Sequence, residues 1–366
     1  MKKIVFLSAK YFDFKNNCLT IGGVQTYLTD LMSVGKTLEI PMEFYQMGDY
    51  EADGLVRGIP IHQIKVLPQN KQGFSNLVYK RVKQYDVVAF YSTDAIVPQK
   101  MPFDYAIGIQ HGISWDIPCT VKRHWLRSLL SRIIRNHNIE RQAENLDLMV
   151  CVDYNYINWL RTNVDKITTK LIAIPNYTRI APPCEKPKEV INVIFARRLY
   201  EYRGTRVFAA AAERILREYK NVTVTVAGTG PDEQYMRDRL SGFTNVTFLT
   251  YESSDSLRIH ADKHIAVVPT VGSEGTSLSL LEAMSAQCAV IASNVGGMTN
   301  IVLDGYNGLV VNAGDVDSLY AAIKRLLDNP MEIKQIAEKG YETVKSAFSY
   351  EKWMGKWTTV LTSIVN

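Results

Sequence analysis

A short turn in the C-terminal half of the sequence carries two carboxylates at a fixed spacing, Glu274 and Glu282. The first precedes a Gly-Thr-Ser sequence that leads into a helical pattern, and backbone amides at the start of a helix bind anions. Eight helical residues rotate a side chain by about 80° and raise it by about 12 Å. The spacing therefore predicts carboxylates at opposite ends of one elongated ligand. The turn residues expected to contact that ligand are Gly275, Thr276, Ser277 and Leu278.

Two arginines and a glycine pair strengthen this prediction. Arg198 follows an apolar strand pattern, and Arg203 precedes a glycine that opens a helix, so both can pair with a diphosphate. Gly228 and Gly230 follow a second strand in the sequence Gly-Thr-Gly-Pro. A glutamate pair alone is usually a solvated helix face, but ligands of open α/β sheets bind at the carboxyl ends of strands, where all these motifs lie. Together they predict a nucleotide site, with one glutamate facing a sugar and the other the ribose.

The N-terminal half contributes two weaker motifs. Gly22 and Gly23 open a helix after the first strand, which predicts either an anion-binding loop or an ordinary helix start. His111 follows a strand end and precedes Gly112. A lone histidine is more often a packing or surface residue, but its strand-end position and the adjacent glycine favour a ligand contact.

The elements that position these motifs alternate regularly between apolar strands and helices. This alternation predicts an α/β fold with two parallel sheets covered on both faces. Four prolines between Pro175 and Lys188 stiffen the chain and predict the domain junction there. We therefore predict an N-terminal domain over residues 1–180 and a C-terminal domain over 190–349. The last helix, over 350–366, is expected to return to the first domain.

Composition excludes several classes of protein. The 366 residues are 46% hydrophobic and 22% charged, which is typical of globular domains and not of disordered or fibrous chains. No apolar run is long enough to cross a bilayer. Five scattered cysteines without a C-x-x-C pair argue against a zinc site or a disulfide framework, and they suit a reducing cytoplasm.

The net charge of +5 originates in the N-terminal half, which holds 21 basic and 16 acidic residues up to position 175. Much of the excess lies in 122–141, where six basic residues accompany one acid. The same stretch has leucines and isoleucines at helical spacing. It predicts either a helix laid on the N-terminal sheet or a surface that docks on anionic lipid.

The strand-end motifs resemble those of glycosyltransferase family 4, retaining enzymes of the GT-B fold, and in particular members that build bacterial polysaccharides. The resemblance covers most of the chain and is strongest over 192–311. It implies two Rossmann-like domains facing across a cleft, with an N-terminal acceptor side and a C-terminal donor side. It also implies transfer of a sugar from a nucleotide-sugar donor to a glycan or lipid-linked acceptor. No metal or other cofactor is expected, because cationic side chains and a helix N-terminus serve instead.

The resemblance assigns roles to individual residues. Arg198 and Arg203 would hold the donor diphosphate, Glu274 and His111 would contact the donor sugar, and Glu282 would bind the ribose. The sequence departs from the family pattern at four positions. Arginine replaces lysine at 203 and glycine at 197, Thr276 replaces a frequent aromatic residue, and Asn300 replaces a common glutamate.

Two alternatives belong to other classes of function. A GT-B nucleotide-sugar epimerase would share the fold but needs acid–base carboxylates beyond the glutamate pair. A basic nucleic-acid-binding module would explain the charge, but the basic helix lacks interleaved aromatic residues. The preferred prediction is a cytoplasmic enzyme, with peripheral attachment to the inner face of the cell membrane as its variant. The sugar, the base and the acceptor are not predicted.

Overall fold

The computed structural model describes residues 2–20, 22–97, 99–113, 125–164 and 167–365, excepting the side chains of 125–129 and 253. The chain forms two compact units. The first contains the residues up to His111, the segment that ends at Pro175, and the chain from Trp353 onward. The second runs from Asn176 to Lys352 and includes Gly112. The boundary between the units thus lies at the start of the proline-rich connector.

The first unit is built on a sheet with, among the described residues, eight strands in the order β10-β9-β8-β7-β1-β4-β6-β5. Of these eight described strands, only β5 runs antiparallel to its neighbour. The central strands are apolar and buried because helices cover both faces. The strands are β1 (Lys3–Ser8), β2 (Phe12–Asp13), β3 (Cys18–Leu19), β4 (Met42–Gly48), β5 (Ala52–Val56), β6 (Ile59–Lys65), β7 (Val87–Ser92), β8 (Tyr105–Gln110), β9 (Leu148–Cys151) and β10 (Lys170–Ala173). The helices are α1 (Gly23–Thr37), α2 (Lys71–Val82), α3 (Trp125–Glu144) and α4 (Tyr154–Asn163).

The second unit has a parallel sheet whose described strands follow the order β13-β12-β11-β14-β15-β16. One face packs on α5 and α9, and the other packs on α8 and its neighbours, so the sheet is wound on both sides. The strands are β11 (Ile191–Ala196), β12 (Val222–Ala227), β13 (Val246–Leu249), β14 (Ile265–Val268), β15 (Ala289–Ser293) and β16 (Leu309–Val311). The helices are α5 (Thr205–Glu218), α6 (Glu233–Leu240), α7 (Ser256–His260), α8 (Leu278–Ser285), α9 (Val316–Asp328) and α10 (Pro330–Thr343).

The final helix, α11 (Tyr350–Val365), anchors itself to the first unit through two buried tryptophans. The indole N–H of Trp357 donates a hydrogen bond to the Tyr27 hydroxyl over 2.9 Å. Trp353 packs edge-on against the same tyrosine ring at 5.1 Å. The spacing of the two tryptophans, four residues apart, places both on one face of the helix.

Helix α3 only partly covers the sheet. Its C-terminal half buries Ile139 and Ala143, whereas Leu130, Ile133 and Ile134 are 57–61% exposed. The hypothesis that this apolar stripe faces the sheet is therefore wrong for these three side chains. Lys122 and Arg123 lie outside the described residues. Among the helices that the structure describes, none is both long and apolar enough to span a membrane.

Candidate functional site

Two neighbouring strands of the second unit bring the predicted anion site together. Strands β11 and β14 pair in parallel, so Arg197 after β11 and Thr270 after β14 emerge at the same sheet edge. A loop from Thr270 leads to Glu274 and then into α8. The site thus forms at the carboxyl ends of parallel strands, as the motif positions predict.

Two glycines let the backbone approach closely enough to build this edge. Gly204 has φ of 86° and forms the N-cap of α5, and a Cβ there would lie 1.9 Å from the Pro269 carbonyl oxygen. Gly228 has φ of 135°, and its Cβ would lie 2.2 Å from the Arg197 carbonyl oxygen. A side chain at either position would meet both a strained backbone and a steric clash. The two glycines therefore fix the segments that carry Arg203 and Arg197.

At the centre of the site, one carboxylate oxygen receives three donors. Oε2 of Glu274 accepts hydrogen bonds from Arg197 Nη2 at 3.0 Å, from Thr270 Oγ1 at 3.2 Å, and from Arg203 Nη1. Arg197 Nη1 also donates to Thr270 Oγ1. The side chains of Arg197, Glu274 and Arg203 are 6%, 11% and 19% exposed. This arrangement is a nearly dry cluster of two cations and one anion.

The electrostatics of the cluster favour an ionised carboxylate. Burial alone would raise the pKa of Glu274, but the charges of Arg197 and Arg203 outweigh it and lower that pKa below its ordinary value. Burial lowers the pKa of Arg197, against the opposing effect of Glu274. Two guanidinium groups for one carboxylate leave the cluster with an excess positive charge, which suits a second anion.

The two adjacent arginines have different positions. Arg198, predicted to bind the diphosphate, is exposed, and its guanidinium carbon lies 5.7 Å from the Tyr200 ring centre. Arg197, where the family pattern has glycine, is the buried partner of Glu274. The structure therefore places Arg203 in the cluster beside Arg197, while Arg198 lies outside it among the described contacts.

The turn after Glu274 opens helix α8. Ser277 is its N-cap, Leu278 is its first residue, and both Thr276 and Ser277 are buried. The carbonyl of Thr276 accepts a hydrogen bond from Asn176, and the Glu274 carbonyl accepts one from the amide of Gly297. The first amides of a helix lack intrahelical acceptors, so the start of α8 offers donors beside Gly275.

The structure corrects one step of the spacing argument. Helix α8 begins at Leu278, so half of the interval between Glu274 and Glu282 is not helical. The rotation of 80° and the rise of 12 Å calculated for eight helical residues therefore do not apply to this pair. Glu282 instead lies in the second turn of α8, where burial raises the pKa of its carboxyl to about 7.

The remaining predicted residues occupy the places that their motifs indicate. Gly230 follows β12 and packs against the Leu199 backbone. In the first unit, Gly22 is the N-cap of α1 and Gly23 its first residue. His111 directly follows β8, its ring packs edge-on against Tyr27 at 5.1 Å, and burial lowers its pKa to about 4. Its buried Nε2 has no hydrogen-bond partner among the described residues.

Sequence reasoning did not assign a role to Thr270 and left that of Arg197 open. The signal for Thr270 was the Pro269-Thr270 dipeptide, which follows a strand pattern. For Arg197, the signal was a long cation at a position where the resembled family has glycine. The contact between the two could not be inferred, because it depends on which strands are neighbours in the sheet.

Comparison with known proteins identifies the fold. HepE of Anabaena, solved in complex with UDP, superimposes with a TM-score of 0.76 at 16% identity, over 100% of both chains. The fold is GT-B. Residues 191–329 match the family model described as Glycosyl transferases group 1.

Curated relatives extend this similarity over part of the chain. An exopolysaccharide phosphotransferase of Streptomyces coelicolor is 25% identical over 231 residues, which are 62% of this chain and 24% of the relative. A phosphatidyl-myo-inositol mannosyltransferase of Mycolicibacterium smegmatis is 26% identical over 178 residues, or 46% of each chain. The chain thus spans less than half the length of these curated relatives.

Proposed function

We propose that the chain is a retaining glycosyltransferase of family 4 that moves a sugar from a nucleotide-sugar donor to a glycan or lipid-linked acceptor. Synthesis of bacterial cell-surface polysaccharide is the proposed setting. One observation carries the proposal: the buried Arg197–Glu274–Arg203 cluster at the strand ends, directly before α8, within the segment that matches the group 1 model. An epimerase is not favoured, because the relatives compared above include a named glycosyl-transferring enzyme and no epimerase.

The proposed chemistry is stabilisation of a leaving diphosphate. As the bond from the anomeric carbon to the diphosphate breaks, negative charge develops on the phosphate oxygens. Arg203 and Arg198 would pair with that charge, and the first amides of α8 would add hydrogen bonds. The amides of α8 are held in place by the helix, whereas Arg203 would turn from Glu274 to the diphosphate. We propose that no metal ion is required, and turnover should then persist in EDTA.

The other predicted residues would bind the rest of the donor. Ionised Glu274 would accept hydrogen bonds from hydroxyls of the sugar, and Glu282 would accept them from the ribose. His111, neutral at pH 7 because burial lowers its pKa, would contact the sugar through an imidazole and not an imidazolium. Gly22 and Gly23 would bring the start of α1 close to the donor.

The decisive experiment incubates the chain with UDP-, GDP- and dTDP-sugars and identifies the nucleotide released. Glycosyl transfer releases a nucleoside diphosphate, whereas transfer of a sugar phosphate would release a monophosphate. Release must depend on an acceptor, and NMR of the product must show the anomeric configuration of the donor. Glu274→Gln should lower turnover by at least about tenfold. Monophosphate release, or an inverted product, would refute the proposal.

We further propose that the enzyme acts in the cytoplasm at an anionic membrane surface, with residues 122–141 as the contact. In support, Leu130, Ile133 and Ile134 are exposed on one face of α3 while Arg132 lies on the same helix. Exposed aliphatic residues flanked by arginines combine apolar insertion with attraction to anionic lipid. A lipid-linked acceptor would be reached from such a surface.

A further inference from the structure

The first unit contains a cavity of about 770 Å³ beyond the carboxyl ends of β1, β4 and β6. No residue of this cavity belongs to the donor motifs. Its wall is largely apolar and aromatic, and its other lining residues include three lysines. The wall contains Phe12, Phe14, Met47, Tyr50 and Leu67. The lysines are Lys10, Lys15 and Lys65.

Two buried glutamines hold this cavity in shape. Oε1 of Gln46 accepts hydrogen bonds from the amides of Tyr11 and Phe12 at 3.1 and 2.8 Å. Nε2 of Gln46 donates to the Phe12 carbonyl and to Oε1 of Gln63, and Gln63 in turn donates to the Tyr50 carbonyl at 3.1 Å. This chain of amides ties the loops after β1 and β4 to β6. The cavity is therefore formed before a ligand arrives, which reduces the ordering cost of binding.

The three lysines form no close ion pair with the protein. Among the described residues, no ion pair within 4 Å involves Lys10, Lys15 or Lys65, and Lys15 Nζ lies 5.8 Å from the Tyr50 ring centre. Two acids also line the cavity, Asp13 and Asp49. The Asp13 carboxylate is engaged within its own loop, where it accepts hydrogen bonds from the amide of Lys15 and from Asn16. The charge of Lys10 also acts on Asp13 and contributes to lowering the pKa of its carboxyl. With three lysines against two aspartates, the lining keeps an excess of one positive charge beside its aromatic surface.

We infer that this cavity binds the acceptor of the proposed transferase and that the acceptor carries an anionic sugar. The apolar face of a pyranose ring fits aromatic side chains such as Phe14 and Tyr50, and a carboxylate or phosphate on that ring pairs with the lysines. A uronic acid and a phosphorylated sugar are the two sources of such an anion. The identity of the ligand as acceptor rests on the proposed function, whereas its chemistry rests on the cavity alone.

Calorimetry without donor tests the chemistry of the ligand directly. The probes are trigalacturonate, glucose 1-phosphate and the neutral maltotriose. The test variant changes Lys10, Lys15 and Lys65 to glutamine. The control variant makes the same change in charge at Lys36, Lys80 and Lys83, which are exposed in the same unit and do not line the cavity.

We expect at least one anionic probe to bind more tightly than maltotriose. The lysine variant should weaken that binding by about tenfold or more, and the control variant should leave it unchanged. Preference for trigalacturonate identifies a uronic acid, and preference for glucose 1-phosphate identifies a phosphorylated sugar. Equal binding of neutral and anionic probes, no binding of either anion at millimolar concentration, or full affinity in the lysine variant would overturn the inference.

A second variant tests the aromatic surface, and a transfer assay separates this inference from the proposed function. Tyr50→Ala should weaken binding of the anionic probe even though all the lysines remain, because it removes the aromatic surface on which the sugar ring packs. If the probes bind as expected but no donor is turned over, the transferase proposal fails and the cavity chemistry stands. If sugar transfer occurs and the lysine variant transfers to every acceptor at the wild-type rate, the cavity inference fails and the transferase proposal stands.

Discussion

Nη2 of Arg197 lies 3.0 Å from Oε2 of Glu274, and both side chains are almost completely buried. Arg197 occupies a position where the resembled family has glycine, so this contact is a property of the chain itself. Glu274 is the residue proposed to meet the donor sugar. Because Arg197 also binds the carboxylate, Glu274 can stay ionised and fixed even when Arg203 turns to a diphosphate.

Removal of Arg197 should therefore destabilise the fold. Arg197→Ala leaves a cavity and deprives a buried carboxylate of one of its two cations, and loss of a partner from a buried ion pair costs about 3 kcal/mol. The adjacent Arg198→Ala is the matched control, since exposed substitutions usually change the free energy of unfolding by less than about 0.5 kcal/mol. Urea unfolding measures the free energy of unfolding of both variants. Equal stability of the two variants would contradict the structural role of Arg197.

Nucleotide binding should depend on the two arginines proposed to hold the diphosphate. Arg198→Ala and Arg203→Ala should each weaken binding of the free nucleoside diphosphate by about 1.5–3 kcal/mol, the range for hydrogen bonds to charged groups. Calorimetric titration of UDP, GDP and dTDP gives the affinities. Arg206→Ala, an exposed arginine on α5, serves as the control for non-specific loss of charge. Unchanged affinity in both test variants would move the diphosphate site elsewhere.

The limits of prediction from sequence follow from how each feature is encoded. The strand predicted directly before Gly228 is confirmed as Val222–Ala227, because buried parallel strands are continuous apolar runs between helices. The hairpin of β5 and β6 was missed, because Pro60 and a run of polar residues interrupt its pattern. The Arg197–Glu274 contact joins residues 77 positions apart and depends on strand order. Local spacing cannot encode that order. The helical geometry assumed for Glu274 and Glu282 was wrong for a different reason, because α8 begins only at Leu278.

Glu282 should make stability depend on pH in a defined direction. Its pKa is raised from 4.5 to about 7 in the folded chain, so between these values the folded protein keeps a proton that the unfolded chain has lost. The contribution of Glu282 to stability is therefore lost as pH rises through this window and is constant above it. Urea unfolding across the window should show the free energy of wild type falling relative to that of Glu282→Gln. The exposed Glu189→Gln should behave as wild type, and a constant difference between wild type and Glu282→Gln would contradict the shift.

The same ionisation should control nucleotide binding. If Glu282 accepts hydrogen bonds from the ribose, its charged form binds better, and affinity for the nucleoside diphosphate should rise as pH increases through about 7. Glu282→Gln should bind more weakly and lose this dependence. A Glu282→Gln variant that keeps both wild-type affinity and the wild-type pH profile would refute the ribose assignment.

Helix α3 provides a test of where the enzyme works, because apolar and electrostatic contributions can be removed separately. Each arginine near an anionic surface adds about 1 kcal/mol of attraction that salt screens, whereas burial of an isoleucine is insensitive to salt. Changing Arg127, Arg132 and Arg135 to glutamine should abolish the salt-dependent part of binding to vesicles that contain anionic lipid. Ile133→Ser with Ile134→Ser should remove the part of vesicle binding that persists at high salt.

Leu55→Ser, at a side chain 71% exposed on β5, controls for loss of any surface aliphatic group and should bind as wild type. All variants should keep turnover on a short soluble acceptor. Flotation with the vesicles measures the binding, and a wild-type chain that ignores anionic vesicles at low salt would show that α3 meets no membrane and that the acceptor is soluble.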